Sequence, residues 1–333
     1  MSLTRRVPEA ATSYLVHLRD RLMLGDAALP LHGRWRVKAR SAERQQSPFF
    51  ILGHPRSGTT LLRTILSRHP KIFIPPENGG LWRMIRVFGG LRRAAWDVVV
   101  DAVIAEFVAG YEFQMWALDP AEVRSRALAL PQSERTLDRL ISLFYLGYGA
   151  VHAPGKQVWG DKTTPGSFRF LSKLALVFPD ARYLHIVRDG RDCTASAMRA
   201  GFFNGNPALA ATAWRDNVRL CRRLGEQLSS VNQYLEVSYE QLVGDPASHL
   251  PSFCSFLGVE ISPAMKDDSG RGNVVDRLPD VGQIAHHENV TRPVFQDSVG
   301  RWRQSFSADE IHELTRIMAP ELRRFGYQID RGR

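Results

Sequence analysis

Cysteine is scarce. Cys193, Cys221 and Cys254 are the only three in 333 residues. An odd count at long spacings, with no CxxC and no Cys/His ligand pattern, excludes a disulfide-stapled scaffold and a zinc module and points to a reducing compartment. Long apolar runs are missing too, none approaching the ~18–20 residues of a spanning helix. The N-terminus carries Arg5 and Arg6 but no clear apolar stretch or small-residue cleavage site, so it does not read as a signal peptide. A cytoplasmic protein is expected. There is no internal repeat, no low-complexity segment and no block of five or six like charges.

Positive charge is what the chain does have. Lys and Arg total 44 against 34 Asp and Glu, a net charge of +10. Such an excess suits nucleic acid, a membrane surface or a small polyanion. The arginines are scattered, which favours a small anionic ligand over nucleic acid and leaves peripheral membrane contact as the alternative. With 44% hydrophobic residues the chain has enough apolar side chains for a large core. Nothing in it specifies an oligomeric state.

One stretch organises the rest. Phe49-Phe50-Ile51-Leu52, between Pro48 and Gly53, has the continuous apolar character of a buried parallel strand. Gly53-His-Pro-Arg-Ser-Gly58-Thr-Thr turns from it into Leu61–Leu66, which has helical spacing. Strand, glycine-containing loop and helix N-terminus together make an anion cradle, because inward backbone N–H groups and the helix dipole both favour negative charge. The Gly53-to-Gly58 spacing matches a Walker A loop, but Thr59 stands where its Lys belongs, and Arg56 sits inside the loop instead. A γ-phosphoryl ligand is therefore poorly supported.

Further along, Lys71–Ile74 reads as a short strand that delivers Glu77 to the sheet edge where ligand sites form. Residues 81–155 are mostly helical, with stretches at Ala94–Val108, Pro120–Leu130 and Ser133–Tyr148. Val158-Trp159 lead into a charged loop, Gly160-Asp-Lys162-Thr-Thr-Pro165. An amphipathic helix is expected over Phe168–Phe178 and a strand over Ala181–Val187, followed by Arg188-Asp-Gly-Arg191-Asp192 and a helix with Ser196. Arg191 is expected to pair with Asp189 or Asp192 or to make a secondary phosphate contact. A guanidinium fork suits bidentate phosphate binding. Ala208–Ser230 is a long helix, Tyr234–Val237 a strand, and Ala308–Phe325 the last helix. In the N-terminal segment, Tyr14, Leu15, Leu18 and Leu22 share one helical face, and Gly33–Arg44 is expected to be a solvated basic face.

The P-R-S-G-T-T loop resembles the 5′-phosphosulfate loop of sulfotransferases that use PAPS (3′-phosphoadenosine 5′-phosphosulfate), and is most similar to tyrosylprotein sulfotransferases and their bacterial relatives. Val237-Ser-Tyr-Glu-Gln-Leu-Val243, Phe256-Leu-Gly258, Arg292-Pro-Val294, Gly300-Arg-Trp302 and Met318-Ala-Pro-Glu-Leu322 extend the likeness. The resemblance covers residues 48–80, 158–200 and 234–328 and implies an α/β fold, a P-loop nucleoside-kinase-like parallel sheet flanked by helices, in a domain expected to occupy residues 48–333. Outside the resemblance, periodicity and composition give a helical acceptor-side insertion at 81–157 and a basic helical extension at 1–47. It implies that Arg56, Ser57, Gly58, Thr59 and Thr60 hold the 5′-phosphosulfate, that Arg188 and Ser196 hold the 3′-phosphate, and that Tyr239 and Arg301 contact the nucleotide. Glu77 is then the base, with Lys162 and Arg56 at the transferring group; no metal is required. One departure stands out: the family pattern places Arg two residues after the Glu, and here it is Gly79. The implied reaction moves a sulfuryl group to an acceptor hydroxyl. A carbohydrate, glycolipid or small natural product is favoured over protein tyrosine. The rivals are a P-loop kinase or NTPase and a non-catalytic nucleotide binder. If Glu77 is not the base, His152, His286 and His287 are the next candidates.

Overall fold

The computed structural model describes residues 34–38, 47–266 and 298–329. At its centre lies a five-stranded sheet in the order β2-β3-β1-β4-β5, formed by Phe49–Leu52 (β1), Ile72–Phe73 (β2), Val158–Lys162 (β3), Arg182–Val187 (β4) and Tyr234–Ser238 (β5). Every pairing is parallel. The apolar run of β1 lacks alternation because both sheet faces are covered. Phe49 and Ile51 pack with Leu62, Leu184 and Phe253 on one side, and Phe50 and Leu52 with Trp159, Phe178 and Tyr183 on the other.

The helices are Thr59–Ser67 (α1), Leu81–Leu91 (α2), Trp96–Val108 (α3), Pro120–Leu128 (α4), Leu137–His152 (α5), Leu171–Val177 (α6), Gly190–Arg199 (α7), Pro207–Leu228 (α8), Tyr239–Gly244 (α9), Pro246–Leu257 (α10), Trp302–Ser305 (α11) and Ala308–Arg324 (α12). The chain leaves β1 to one side for β2 and β3, then crosses to the other side for β4 and β5. The loops after β1 and β4 therefore diverge and leave a crevice at the carboxyl edge of the sheet. Helices α2–α5 form a helical insertion between β2 and β3 in the chain. Its core is aromatic: the Phe107 and Phe144 ring centroids lie 4.2 Å apart, and Tyr145 stacks on Trp159 of β3 at 4.0 Å.

Three expectations need correction. Asp161 and Lys162 belong to β3 rather than to a loop, because Gly160, Asp161 and Lys162 pair with Phe49, Phe50 and Ile51. The extension is possible because residue 160 is glycine: a Cβ there would lie 2.3 Å from Phe49 Cζ. The helix expected over Phe168–Phe178 is divided into a 3₁₀ turn, Pro165–Phe170, and α6, since Pro165-Gly166 opens a tighter turn before the apolar spacing begins. Finally, the stretch expected to be a solvated basic face contains a buried anchor. Trp35 is 3% exposed, its Nε1 donates to Ala94 O at 2.8 Å, and Arg92 Nε donates back to Trp35 O at 2.9 Å. The amphipathic face of residues 14–22, the Arg292-Pro-Val294 segment, and His286 and His287 lie outside the described residues.

Candidate active site

The loop between β1 and α1 is shaped by backbone conformations that few side chains tolerate. Gly58, just before α1, has φ +97°, and a Cβ there would lie 2.4 Å from Tyr239 Cδ2. Gly53 is equally constrained, since its Cβ would lie 2.6 Å from Thr59 Cγ2 and 2.9 Å from Ile186 Cγ2 of β4. Arg56 is held at φ +72° although it is not glycine. Strain of this kind persists only where neighbours enforce it, and it concentrates at functional sites. Here the enforcing contacts are visible. Arg188 Nη1 donates to Arg56 O at 3.0 Å, and Arg56 Nε donates to Ser196 Oγ at 3.0 Å. Ser57 donates its hydroxyl to His54 O. The residues expected at the two ends of the donor thus meet across the β1/β4 boundary.

Arg188 leaves the end of β4 into the crevice. Its guanidinium lies 4.5 Å from the Tyr239 ring centroid, and Nη2 donates to Ser298 O at 2.6 Å. Tyr239 Oη and Ser298 Oγ are 2.7 Å apart. The Nε of Arg188 is buried with no hydrogen-bond partner among the described residues. Burial, and then the positive charge of Arg188, pull Arg56 below the usual guanidinium range, and Arg199 adds to the effect. Arg199 is itself lowered by burial and by the charges of Arg301 and Arg188. Arg56, Arg188 and Arg199 therefore oppose one another at this edge, with Arg301 acting on Arg199, and such a cluster of guanidiniums is the donor set a polyanion would satisfy. These residues fit PAPS, which carries phosphate at two positions.

The second half of the site lies on the other side of β1. Lys162 at the end of β3 places Nζ 3.1 Å from Thr60 Oγ1 and 2.8 Å from Glu77 Oε2. One ammonium thus bridges the loop and the expected base. Beside it, Asp161 is 3% exposed; its Oδ2 accepts from Tyr145 Oη at 2.7 Å and its Oδ1 from Thr163 Oγ1 at 2.8 Å. Burial pushes the Asp161 carboxyl up to about 6 against those two hydrogen bonds, with the Glu77 charge adding to the rise. Gly79 has no steric reason to be glycine, since the nearest atom to a Cβ there would be Arg83 Nη1 at 4.0 Å.

Arg56, Ser57, Gly58, Thr59, Thr60, Glu77, Lys162, Arg188, Ser196 and Tyr239 all fall at this edge, with Arg301 near enough for its charge to reach Arg199. His152 stands apart at the end of α5, its Nε2 3.0 Å from Trp116 O. Arg191 pairs with Asp189, Nη2 to Oδ2 at 2.7 Å, as expected. Sequence reasoning missed Asp161, Tyr145, Arg199, Ser298 and the structural use of Asp192. Asp161 lay beside a recognised lysine, so adjacency was a usable signal for it; the others carry no local motif.

A glycine loop at the switch point of a parallel sheet places the chain among P-loop-like nucleotide-binding α/β proteins. Residues 48–263 match the sulfotransferase family, and the chain belongs to it. The resemblance seen in the loop is borne out, and with it a PAPS-dependent enzyme. Among curated proteins, the chain is 26% identical over 91% of its length to protein-tyrosine sulfotransferase A of Caenorhabditis elegans, 73% of which is covered. It is 28% identical over 84% of its length to protein-tyrosine sulfotransferase 2 of Gallus gallus, 68% of which is covered. The sulfotransferase domain of the Synechococcus PCC 7002 olefin synthase shares the fold at TM-score 0.58 and 24% identity, covering 89% of this chain and 99% of that one. The domain from the curacin biosynthetic pathway does so at 0.55 and 20%, covering 86% and 99%. The expectation that protein tyrosine is a disfavoured acceptor finds no support in these relatives. No helix among the described residues is long and apolar enough to cross a membrane.

Proposed function

We propose that Glu77 removes the proton of an acceptor hydroxyl while Lys162 and the β1–α1 loop receive the donor's sulfated end. The observation that carries this reading is the single chain of contacts Glu77–Lys162–Thr60, which ties a carboxylate to the anion loop through one ammonium. When bound, PAPS supplies a sulfur–oxygen bond whose bridging oxygen departs with the phosphate. Lys162 Nζ and Arg56 offer positive charge where negative charge then grows, and such preorganised charge is commonly the largest catalytic contribution. Arg188 and Ser196 hold the 3′-phosphate, and the Tyr239 ring closes the nucleotide side. Glu77 Oε2 takes the acceptor proton, so the hydroxyl oxygen can form the new bond to sulfur.

Protein tyrosine is the first acceptor to test, because the named relatives act on it. Gly79 favours a second class. A glycine two residues from the base leaves space where the family pattern has an arginine, which suits a carbohydrate, a glycolipid or a small natural product. Cytoplasmic placement belongs to this same reading. Calorimetric titration with PAP (3′-phosphoadenosine 5′-phosphate), against Mg·ATP as control, checks the donor site first. Labelled PAPS is then offered with tyrosine peptides, glycans and phenols. Tight PAP binding and label transfer to a hydroxyl support the reading, whereas preferred binding of Mg·ATP overturns it.

A further inference from the structure

Asp192 lies in the first turn of α7, 1% exposed, one residue after the arginine that pairs with Asp189. Its carboxylate does not pair with that arginine. Oδ2 accepts from the backbone N–H of Gly300 at 2.7 Å, and Oδ1 accepts from that of Trp302 at 2.9 Å. Both amides belong to a segment more than a hundred residues downstream, and the residue between them is Arg301. Gly300 has φ +78°, so a turn unsuited to most side chains is fixed there. The segment is held from three other directions: Arg188 donates to Ser298 O, Tyr239 meets Ser298 Oγ, and the Arg191 guanidinium lies 3.9 Å from the Trp302 ring centroid. A buried carboxylate taking two backbone N–H groups is an orienting device, because each bond fixes both the distance and the direction of the peptide it meets.

We infer that Asp192 is a positioning residue for donor binding: by gripping the amides on either side of Arg301, it sets that guanidinium near Arg199 for the nucleotide's phosphate. The inference rests on the donor reading above. It makes a prediction of unusual sign. By charge alone, a carboxylate beside an anion site repels the ligand, so neutralising it should tighten binding. A positioning role demands the opposite. Asp192→Asn should weaken PAP binding about tenfold, the loss expected when a charge-assisted hydrogen bond is removed. It should raise KM for PAPS in parallel, with kcat at saturating donor and KM for the acceptor held within about twofold.

A double-mutant cycle with Arg301→Ala isolates the route. If Asp192 acts through Arg301, Asp192→Asn costs little further in the Arg301→Ala background. Unchanged or tighter PAP binding in Asp192→Asn overturns the inference, as does a full, additive loss in the double variant. If Arg301→Ala itself leaves PAP affinity intact, the assignment of Arg301 falls and this inference with it, while Arg188→Ala still tests the donor site separately. Should Asp192→Asn fail to fold, amide hydrogen exchange on the unaltered protein decides. The Gly300 and Trp302 amides should be protected without PAP, and exchange at open-chain rates would refute the grip.

Discussion

Around the loop after β1, side chains from distant parts of the chain meet through directed polar contacts: Arg56 reaches Ser196, Arg188 reaches Arg56 O and Ser298 O, and Lys162 reaches both Thr60 and Glu77. The insertion of α2–α5 is held differently. Phe107, Phe144, Trp116 and Tyr145 interlock as rings, and Trp82 stacks on Phe170 at 5.4 Å beneath the Arg86 guanidinium. Directed contacts fix geometry to a few tenths of an ångström and tolerate few replacements. Ring packing needs volume and shape, which many sequences supply. On the proposed reading, the edge after β1 and β4 specifies one kind of ligand, while the ring-packed insertion tolerates replacement without disturbing it.

Four substitutions break or sharpen that contrast. The largest effect belongs to Glu77→Ala: turnover should fall roughly 10²–10⁴-fold, the usual worth of a positioned base, with PAP affinity kept. Initial rates and calorimetry on the same preparation check it, and full activity would return the base assignment to His152 and its rivals. Arg188→Ala comes next, expected to weaken PAP about 10- to 100-fold through lost charge-assisted bonds, while acceptor KM stays put. An equal rise in both constants would show that the two halves are not separable. Gly79→Arg narrows the mouth beside Glu77. It should change acceptor kcat/KM by about tenfold, the scale of a modest pocket alteration, and leave thermal stability and PAP binding alone.

The smallest effect concerns Asp161, whose folded-state value near 6 lies above the ordinary 3.8 because of burial. Between those two values the folded form holds the proton that the unfolded chain has released. This group therefore makes the protein less stable as pH rises from about 4 to about 6. Asp161→Asn removes that slope and, having no buried charge to desolvate, should be more stable at pH 7 by about 1 kcal/mol. Urea unfolding at pH 4.5 and 7 reads the difference; a variant less stable at pH 7 would mean that the Tyr145 and Thr163 bonds outweigh the burial cost.

Much of the loop after β1 and of the end of β4 was legible in the sequence, because Gly53 and Gly58 answer local needs, a tight turn and a close approach, and Arg56 and Arg188 are the guanidiniums that the proposed phosphate sites call for. Such needs recur at fixed spacing and can be read without coordinates. Asp192 illustrates the opposite case. Its neighbour Arg191 was expected to pair with Asp189 or Asp192, and sequence offers no reason why one carboxylate takes the guanidinium and the other takes amides from residues 300 and 302. That choice is made by how α7 packs beneath α11. Trp35 escaped for a similar reason, as an aromatic residue among Arg34, Arg36 and Lys38 gives no period to follow. The insertion showed its helices but not which rings interlock, since ring packing leaves no spacing rule.

The position of Trp35 bears on how the protein should be handled at the bench. Similarity to the family spans residues 48–263, an inviting pair of cloning boundaries. Cutting there would excise Trp35 from between Arg92 and Ala94, and would also strip Leu314, Met318 and Leu322 from the side of Trp214. Gly190 already sits so near Met318 that a Cβ would come within 2.4 Å of its sulfur. The fragment left would expose an apolar flank beside α7 and Trp214 and would be expected to aggregate. The smallest expressible unit is therefore longer than the recognisable one, beginning before Trp35 and ending after Tyr327.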